Sequence, residues 1–179
     1  MSTLVDEFGS LTDPYKNFIA ISRYARWRDD LGRRETWVET VGRYVTYMKE
    51  NTDRRFPGAI PADFWYEAEW SIIHHEVMPS MRALMTAGEA LDRSHVAGYN
   101  CSFIPIDDVV AFDEGLFILM NGTGLGFWAE RKYTSKLPVV ASDFRKVDDV
   151  IVVEDSKEGW AYGLRELLAA GLPHLGELG

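Results

Sequence analysis

The sequence predicts a helix-rich α/β protein. An N-terminal helical region over residues 1–95 leads into the opening strand–helix–strand units of a sheet or barrel over 96–170, followed by a tail over 171–179. Three observations carry this expectation. Before residue 90, apolar residues recur at intervals of three and four, the period of a buried helical stripe. Near Gly98 the texture changes to short apolar runs of strand length. Two such runs enclose a helical pattern within about thirty residues, the size of a right-handed βαβ unit.

The elements follow in order. Asp13-Pro14 supplies an N-cap and a proline at the first helical position, where its missing N–H costs nothing. Phe18, Ile21 and Ala25 continue at helical spacing, and Gly32 breaks the pattern. Thr36 and Glu39 fit a capping box. Behind them Val38, Val41, Val45 and Met48 form one stripe on a helix that runs to about Asn51. "NTDRRFPGAIP" is a loop broken at Pro57-Gly58. Pro61 opens a third helix with Phe64, Trp65, Ala68, Ile72 and Ile73, ended by Pro79. "SMRALMTAG" adds one or two turns closed by Gly88. A strand over 101–106 precedes Asp107 and Asp108, acids suited to a helix N-terminus. Val110, Phe112, Leu116, Phe117 and Met120 cover the helix that ends at Asn121-Gly122. "GLGFWAE" is the next strand, "SKLP" and "SDFRK" are turn-like, and 150–153 is a further strand. Asp155 or Ser156 then caps a last helix holding Trp160, Leu164, Leu167 and Leu168.

Composition narrows the function classes. Hydrophobic residues at 46% and aromatics at 13% are globular rather than disordered values. A formal charge of −9 argues against a duplex nucleic-acid partner, which needs a basic surface. Arg23, Arg26, Arg28, Arg33 and Arg34 cluster locally, but acids interleave them, as on a solvated helical face. One cysteine excludes an internal disulfide framework and a four-cysteine zinc site. The opening "MSTLVDEFGS" lacks the layout of a signal peptide, and no apolar run approaches a membrane span. The expectation is a soluble protein of a reducing compartment, with neither nucleic acid nor membrane as partner.

Three motifs bear on chemistry. "NGTGLGF" (121–127) has the glycines of a nucleotide loop in the wrong context: they follow a helix and lead into a strand. They fit a helix C-cap with a glycine bend, or a place where a ligand approaches backbone at Gly124 and Gly126. "HHEV" (74–77) has no histidine at the spacing of a zinc-protease helix, so no metal site is expected. "YARW" (24–27) and the six tryptophans suit core and interface positions. Cys101, between Asn100 and Ser102 at the mouth of a strand, is either a small buried apolar residue or a thiol facing a polar cavity.

Taken together, "FIAISRYARWRDDLGRRETWVETVGRYV", "MPSMRALMTAG", "AGYNCSFIPIDD", "FDEGLFILMNGTGLGFWAER" and "VVEDSKEGWAYGLRELL" resemble, in this order, segments of adenosylcobalamin-dependent (class II) ribonucleotide reductases, especially the monomer-like enzymes and their phage relatives. The resemblance runs from about Phe18 to Ala170 and is specific only in combination. It implies that the helical region feeds a ten-stranded α/β barrel of two five-stranded halves. It also implies that Cys101 is the redox-active cysteine which, with a second cysteine far downstream, supplies two reducing equivalents. Asn100, Cys101 and Ser102 would contact the substrate ribose, and Ser80 and Gly124 would help to hold the nucleotide's sugar and phosphate. The helix over 109–120 and the segment starting at Ala129 would correspond to regions that bind a deoxynucleotide effector. Adenosylcobalamin would be the cofactor, a ribonucleotide the substrate, a thioredoxin-like protein the reductant, and the cytoplasm (the host's, for a phage protein) the location.

The reaction needs three cysteines, and this chain has one. "GLPHLGELG" departs from the family's continuation, so the expectation is a truncated barrel: the N-terminal part of a reductase, inactive without its missing C-terminal half. Cys101 should then face a concave side shared with Gly124 and Ser80. Leu164, Leu167 and Leu168 should be more exposed than a self-sufficient domain tolerates. A reading from a different class is a non-catalytic nucleotide-binding or docking module that complements a separate catalytic half. A third is a helical interaction protein that shares only packing with the reductases.

Overall fold

Asp13 starts the first helix as expected: its carboxylate accepts the Lys16 N–H at 2.9 Å ahead of α1 (Pro14–Ile19). The computed structural model describes residues 4–140, 148 and 150–172. Two compact units divide the chain between Gly98 and Tyr99.

In the first unit α1 runs into a π-helical turn, Ala20–Tyr24. Ala20, at the start of this turn, is buried while Phe18, in α1 before it, faces solvent. Of the expected stripe, Ala25 is buried and Ile21 half-buried, and Phe18 is corrected to an exposed position. The arginine-rich stretch is also corrected. It forms a hairpin of β1 (Trp27–Arg28) and β2 (Arg33–Arg34), not a helical face, and the chain turns through Gly32 at φ 61°. Arg28 pairs with Asp30 and Arg33 with Glu39, both at 2.7 Å, while Arg34 donates to the Ala25 carbonyl at 2.9 Å.

α2 (Trp37–Arg55) opens with the expected capping box. Glu39 N–H donates to the Thr36 hydroxyl at 3.3 Å, and the Glu39 carboxylate accepts the Thr36 N–H at 2.7 Å. The helix outruns the expected end at Asn51, because nothing before Pro57 breaks it. α3 (Ala62–Ile73) stops six residues short of Pro79 instead of reaching it, and the chain reverses through His75 at φ 60°. α4 (Met81–Thr86), α5 (Glu89–Arg93) and a 3₁₀ turn, His95–Gly98, complete the unit. Leu11, Trp37, Val41, Val45, Ile72 and Leu84 form its core. Each such side chain contributes roughly 1.5–3 kcal/mol by leaving water.

A polar hub is set against that core. The Glu35 carboxylate is buried and receives four donors: Arg43 Nε at 2.8 Å, the second Arg43 guanidinium arm at 3.0 Å, the Thr40 hydroxyl at 3.1 Å and the Arg26 N–H at 3.1 Å. Arg43 donates further to the carbonyls of Tyr24, Leu84 and Ala87, and Arg26 to that of Met85. Burial pushes the Glu35 carboxyl up, but its donors outweigh burial and leave it below the ordinary carboxylate range.

The second unit holds the expected βαβ. β3 (Cys101–Pro105) and β4 (Gly124–Trp128) pair in parallel across α6 (Val110–Met120). Asp108 accepts the Val110 N–H at 3.0 Å at the helix start, while Asp107 pairs with Lys136 at 2.9 Å. α7 (Arg131–Thr134) follows, and Ser156 caps α8 (Lys157–Ala170) by accepting the Gly159 N–H at 2.9 Å. α8 packs on α6, where Arg165 holds the buried Asp113 carboxylate, Nε to Oδ2 at 3.0 Å.

Residues 150–153 are not the expected strand. They carry no regular secondary structure, and no neighbour among the described residues supplies a ladder. The expected ten-stranded barrel is not seen: the described residues hold two two-stranded sheets, the antiparallel β1–β2 in the first unit and the parallel β3–β4 in the second. Among the described residues of this unit the buried apolar side chains are Ala111 and Ala161. Leu167 is 62% exposed and Trp160 is exposed, while Leu164 and Leu168 are half-buried. The expectations for "SDFRK" and for most of "GLPHLGELG" lie outside the described residues.

Two stability tests follow from the first unit. Arg43→Ala leaves a buried carboxylate uncompensated and should cost about 3–5 kcal/mol, with Arg43→Lys costing less, in urea unfolding followed by tryptophan fluorescence. Arg33, and the Thr36 N–H with it, hold the Glu39 carboxyl down to about 2 from its ordinary 4.5. A depressed folded-state pKa means stability that is complete above pH 4.5 and is lost as pH falls toward 2. Glu39→Gln should flatten that acid limb in pH-dependent thermal melts.

Candidate functional site

The sequence-predicted residues fall in both units, and each group has its own setting. In the first, Ser80 is exposed at the start of α4, with its hydroxyl making no capping bond. The histidines of "HHEV" are both spent on aromatic contacts. His74 stacks on Trp70 at 4.1 Å, and His75 meets the edge of Trp37 at 5.2 Å. Burial, then the nearby Lys16 and His74 charges, hold the His75 pKa below its ordinary value. Among the described residues no group of three or more His, Cys, Asp or Glu side chains could hold a metal ion, and no helix is long and apolar enough to cross a membrane.

In the second unit the parallel register sets Cys101 opposite Gly124, Phe103 opposite Gly126 and Pro105 opposite Trp128. Side chains alternate along a strand, so these six residues share one face. Ser102 and Ile104 share the other with Leu125 and Phe127. That second face is turned toward α6, since a Cβ on Gly115 would lie 3.0 Å from Leu125 Cδ2. Asn100, Cys101 and Ser102 are contiguous in sequence, but the pleat sends the Cys101 and Ser102 side chains to opposite faces.

The Cys101 thiol is free and exposed. It opens onto a floor made by Gly124 and Gly126, which present no side chains. A Cβ at Gly124 would sit 3.9 Å from Cys101 Sγ and 3.4 Å from the Asn100 carbonyl oxygen. The Gly124 N–H donates to that carbonyl at 2.8 Å, so what this glycine offers an approaching molecule is its bare Cα, not a donor. Beneath the strand ends, the Thr123 hydroxyl donates to the Tyr99 carbonyl at 2.9 Å and fixes the start of both strands.

The far end of the same face is aromatic and basic. Phe103 meets Trp128 edge-on at 4.8 Å, Trp128 stacks on Tyr133 at 5.4 Å, and Lys132 Nζ lies over both rings. Sequence reasoning did not find this cluster. Its one legible sign was the four-residue spacing of Lys132 and Lys136 just after a strand rich in aromatics. The face thus combines an exposed sulfur, a floor without side chains, and a boundary of aromatic rings and ammonium groups.

The chain is similar in structure to a crystal structure of a B12-dependent (class II) ribonucleotide reductase, with a TM-score of 0.69 and 22% sequence identity. The match covers 88% of this chain and 30% of that one. At this identity the likeness establishes the fold. No family model matches the chain, and no curated protein matches it.

The glycine floor predicts a steric test. Backbone geometry at Gly124 allows an L-residue, so Gly124→Val should keep β4 and cover the thiol. Alkylation of Cys101 by iodoacetamide should slow severalfold, with far-UV circular dichroism unchanged. An unchanged alkylation rate would show that Gly124 does not govern access to the sulfur.

Proposed function

We propose that this chain is the N-terminal segment of a ribonucleotide reductase, carrying one redox cysteine and part of the nucleotide sites, and inactive alone. The observation that carries the reading is the exposed Cys101 thiol at the start of β3, over the bare backbone of Gly124 and Gly126. The fold likeness to a class II enzyme supports it. β3, α6 and β4 would be the opening unit of the ten-stranded barrel.

Removing a ribose 2′-hydroxyl requires a thiyl radical to take the 3′-hydrogen from one side of the sugar. On the other side, two thiols give up two electrons and two protons as they join in a disulfide, and the hydroxyl leaves as water. Cys101 would be one of those two thiols. The other, and the radical cysteine, must come from further chain, since this one has a single cysteine. A strand fixes such a thiol more tightly than a loop would. Asn100 and Gly124 on the strands, and Ser80 at the start of α4, would help to hold the ribonucleotide, a di- or triphosphate, whereas the Ser102 side chain is turned to α6 and away from the cysteine face. Residues 109–120 and the segment from Ala129 would border the site of a deoxynucleotide effector. A thioredoxin-like protein would reduce the disulfide after each turnover.

Adenosylcobalamin would supply the radical when bound to the complete enzyme. The cysteine face is two strands wide, and aromatic and ammonium groups bound it at one end, so the described residues do not by themselves fit a corrin.

Protection of Cys101 tests the reading. Ribonucleoside phosphates should slow its alkylation, read by mass spectrometry, and Gly124→Val should change that protection. The isolated chain should form no deoxynucleotide with adenosylcobalamin and a dithiol. Protection by neither di- nor triphosphates would remove the nucleotide site. Turnover by the pure chain would falsify its role as one part of the catalyst.

A further inference from the structure

Residues 150–153, Val-Ile-Val-Val, are built like a strand yet have no strand beside them among the described residues. Their burial alternates with period two: Val150 is 82% exposed and Val152 86%, against 40% for Ile151 and 36% for Val153. The inward pair rests on the helical layer, where a Cβ on Gly163 would collide with Val153 Cγ2. None of the backbone N–H or C=O groups of 150–153 makes a hydrogen bond among the described residues. Beside the segment lies a cavity of about 370 Å³ lined by Ile151, Val153, Leu116, Trp160, Leu164 and Leu167. A segment whose burial alternates with period two and whose edges are unpaired among the described residues, next to an apolar floor that can accept alternate side chains, suits strand addition.

The flanks decide what can add. Asp148 and Asp149 precede the apolar run, Glu154 and Asp155 follow it, and no basic residue falls within 148–155. In an antiparallel pair of two copies with Val150 opposite Val153, Asp149 would face Glu154 and Asp148 would face Asp155. In a parallel in-register pair each acid would face itself. Like charges directly opposite are destabilising, so the flanks reject a second copy. They favour a strand of opposite pattern.

We propose that residues 150–153 are a strand-addition edge for another protein chain, and that the partner is an extended apolar run with lysine or arginine at both ends. The proposal rests on the second unit alone and stands or falls separately from the reductase reading.

The test uses the full chain and labelled peptides in fluorescence anisotropy. KKVTVTKK should bind saturably at one per chain, about tenfold or more tighter than EEVTVTEE or KKSGSGKK. N-methylating alternate amides along one edge of the peptide should abolish binding, while the same change along the other edge should not. The double variant Asp148→Lys, Asp155→Lys should reverse the preference between the lysine- and glutamate-flanked peptides. Equal binding of KKVTVTKK and KKSGSGKK would reduce the effect to charge alone. Survival of binding in both methylated series would remove backbone pairing. A dimer of the chain that Val152→Lys dissolves would make a second copy the occupant. Any of these three results overturns the proposal.

Discussion

The first unit depends on one buried carboxylate. Glu35 accepts from Arg43, Thr40 and the Arg26 backbone, and Arg43 reaches on to carbonyls in the π-helical turn and around α4. Those carbonyls come from helix ends, where four acceptors at each C-terminus lack an intrahelical partner. A single guanidinium, with donors in a fixed fork, satisfies three of them while neutralising the acid. The pair adds little free energy compared with an apolar replacement of the same shape, but it fixes the positions of three elements at once. The apolar core of Trp37, Val41, Ile72 and Leu84 then supplies the driving force around a geometry the hub has set.

The second unit is organised on another principle. The buried apolar residues of its helices are small: Ala111 on α6 and Ala161 on α8, with Gly159 and Gly163 of α8 lying against Glu154 and Val153. Asp113 and Arg165 lock α6 to α8. Side chains of that size bury little apolar area, and Phe103, Phe127, Trp128, Trp160 and Leu167 lie on the surface. A unit with this distribution gains less from the hydrophobic effect than its composition allows. Its exposed apolar faces have the character of surfaces that meet other protein.

The pleat of β3 divides the chemistry. With Cys101 and Phe103 on the open face and Ser102 and Ile104 toward α6, one strand serves both a site and a core. The parallel register then places two glycines of β4 beneath the cysteine and the phenylalanine, and substitution of either would fill the space over the sulfur or the ring. The aromatic and ammonium groups of Trp128, Tyr133 and Lys132 close one end of that face.

Local chemistry wrote itself into the sequence. The Asp13 and Thr36–Glu39 caps, the stripe of Val41 and Val45, the βαβ spacing and the Ser156 cap each depend on residues within a few positions of one another, so pattern alone determined them. The π-helical turn after Ile19 and the early end of α3 meet distant residues, Arg43 at the Tyr24 carbonyl and Trp37 at the Ile73 carbonyl, whereas the hairpin of the arginine-rich stretch is held by partners within nine positions. Arg26 finds its acceptor at Met85, 59 positions away, and Arg43 finds Leu84 at 41. No local period records such a partner. The same limit applies to the site. Sequence placed Cys101 at a strand mouth and marked Gly124 as a close approach. Only the parallel register put the two side by side, because backbone hydrogen bonds between strands, not residue identity, decide which positions face each other. Residues 150–153 mark the converse: their alternation is strand-like in sequence, but a strand exists only where a neighbour completes its ladder.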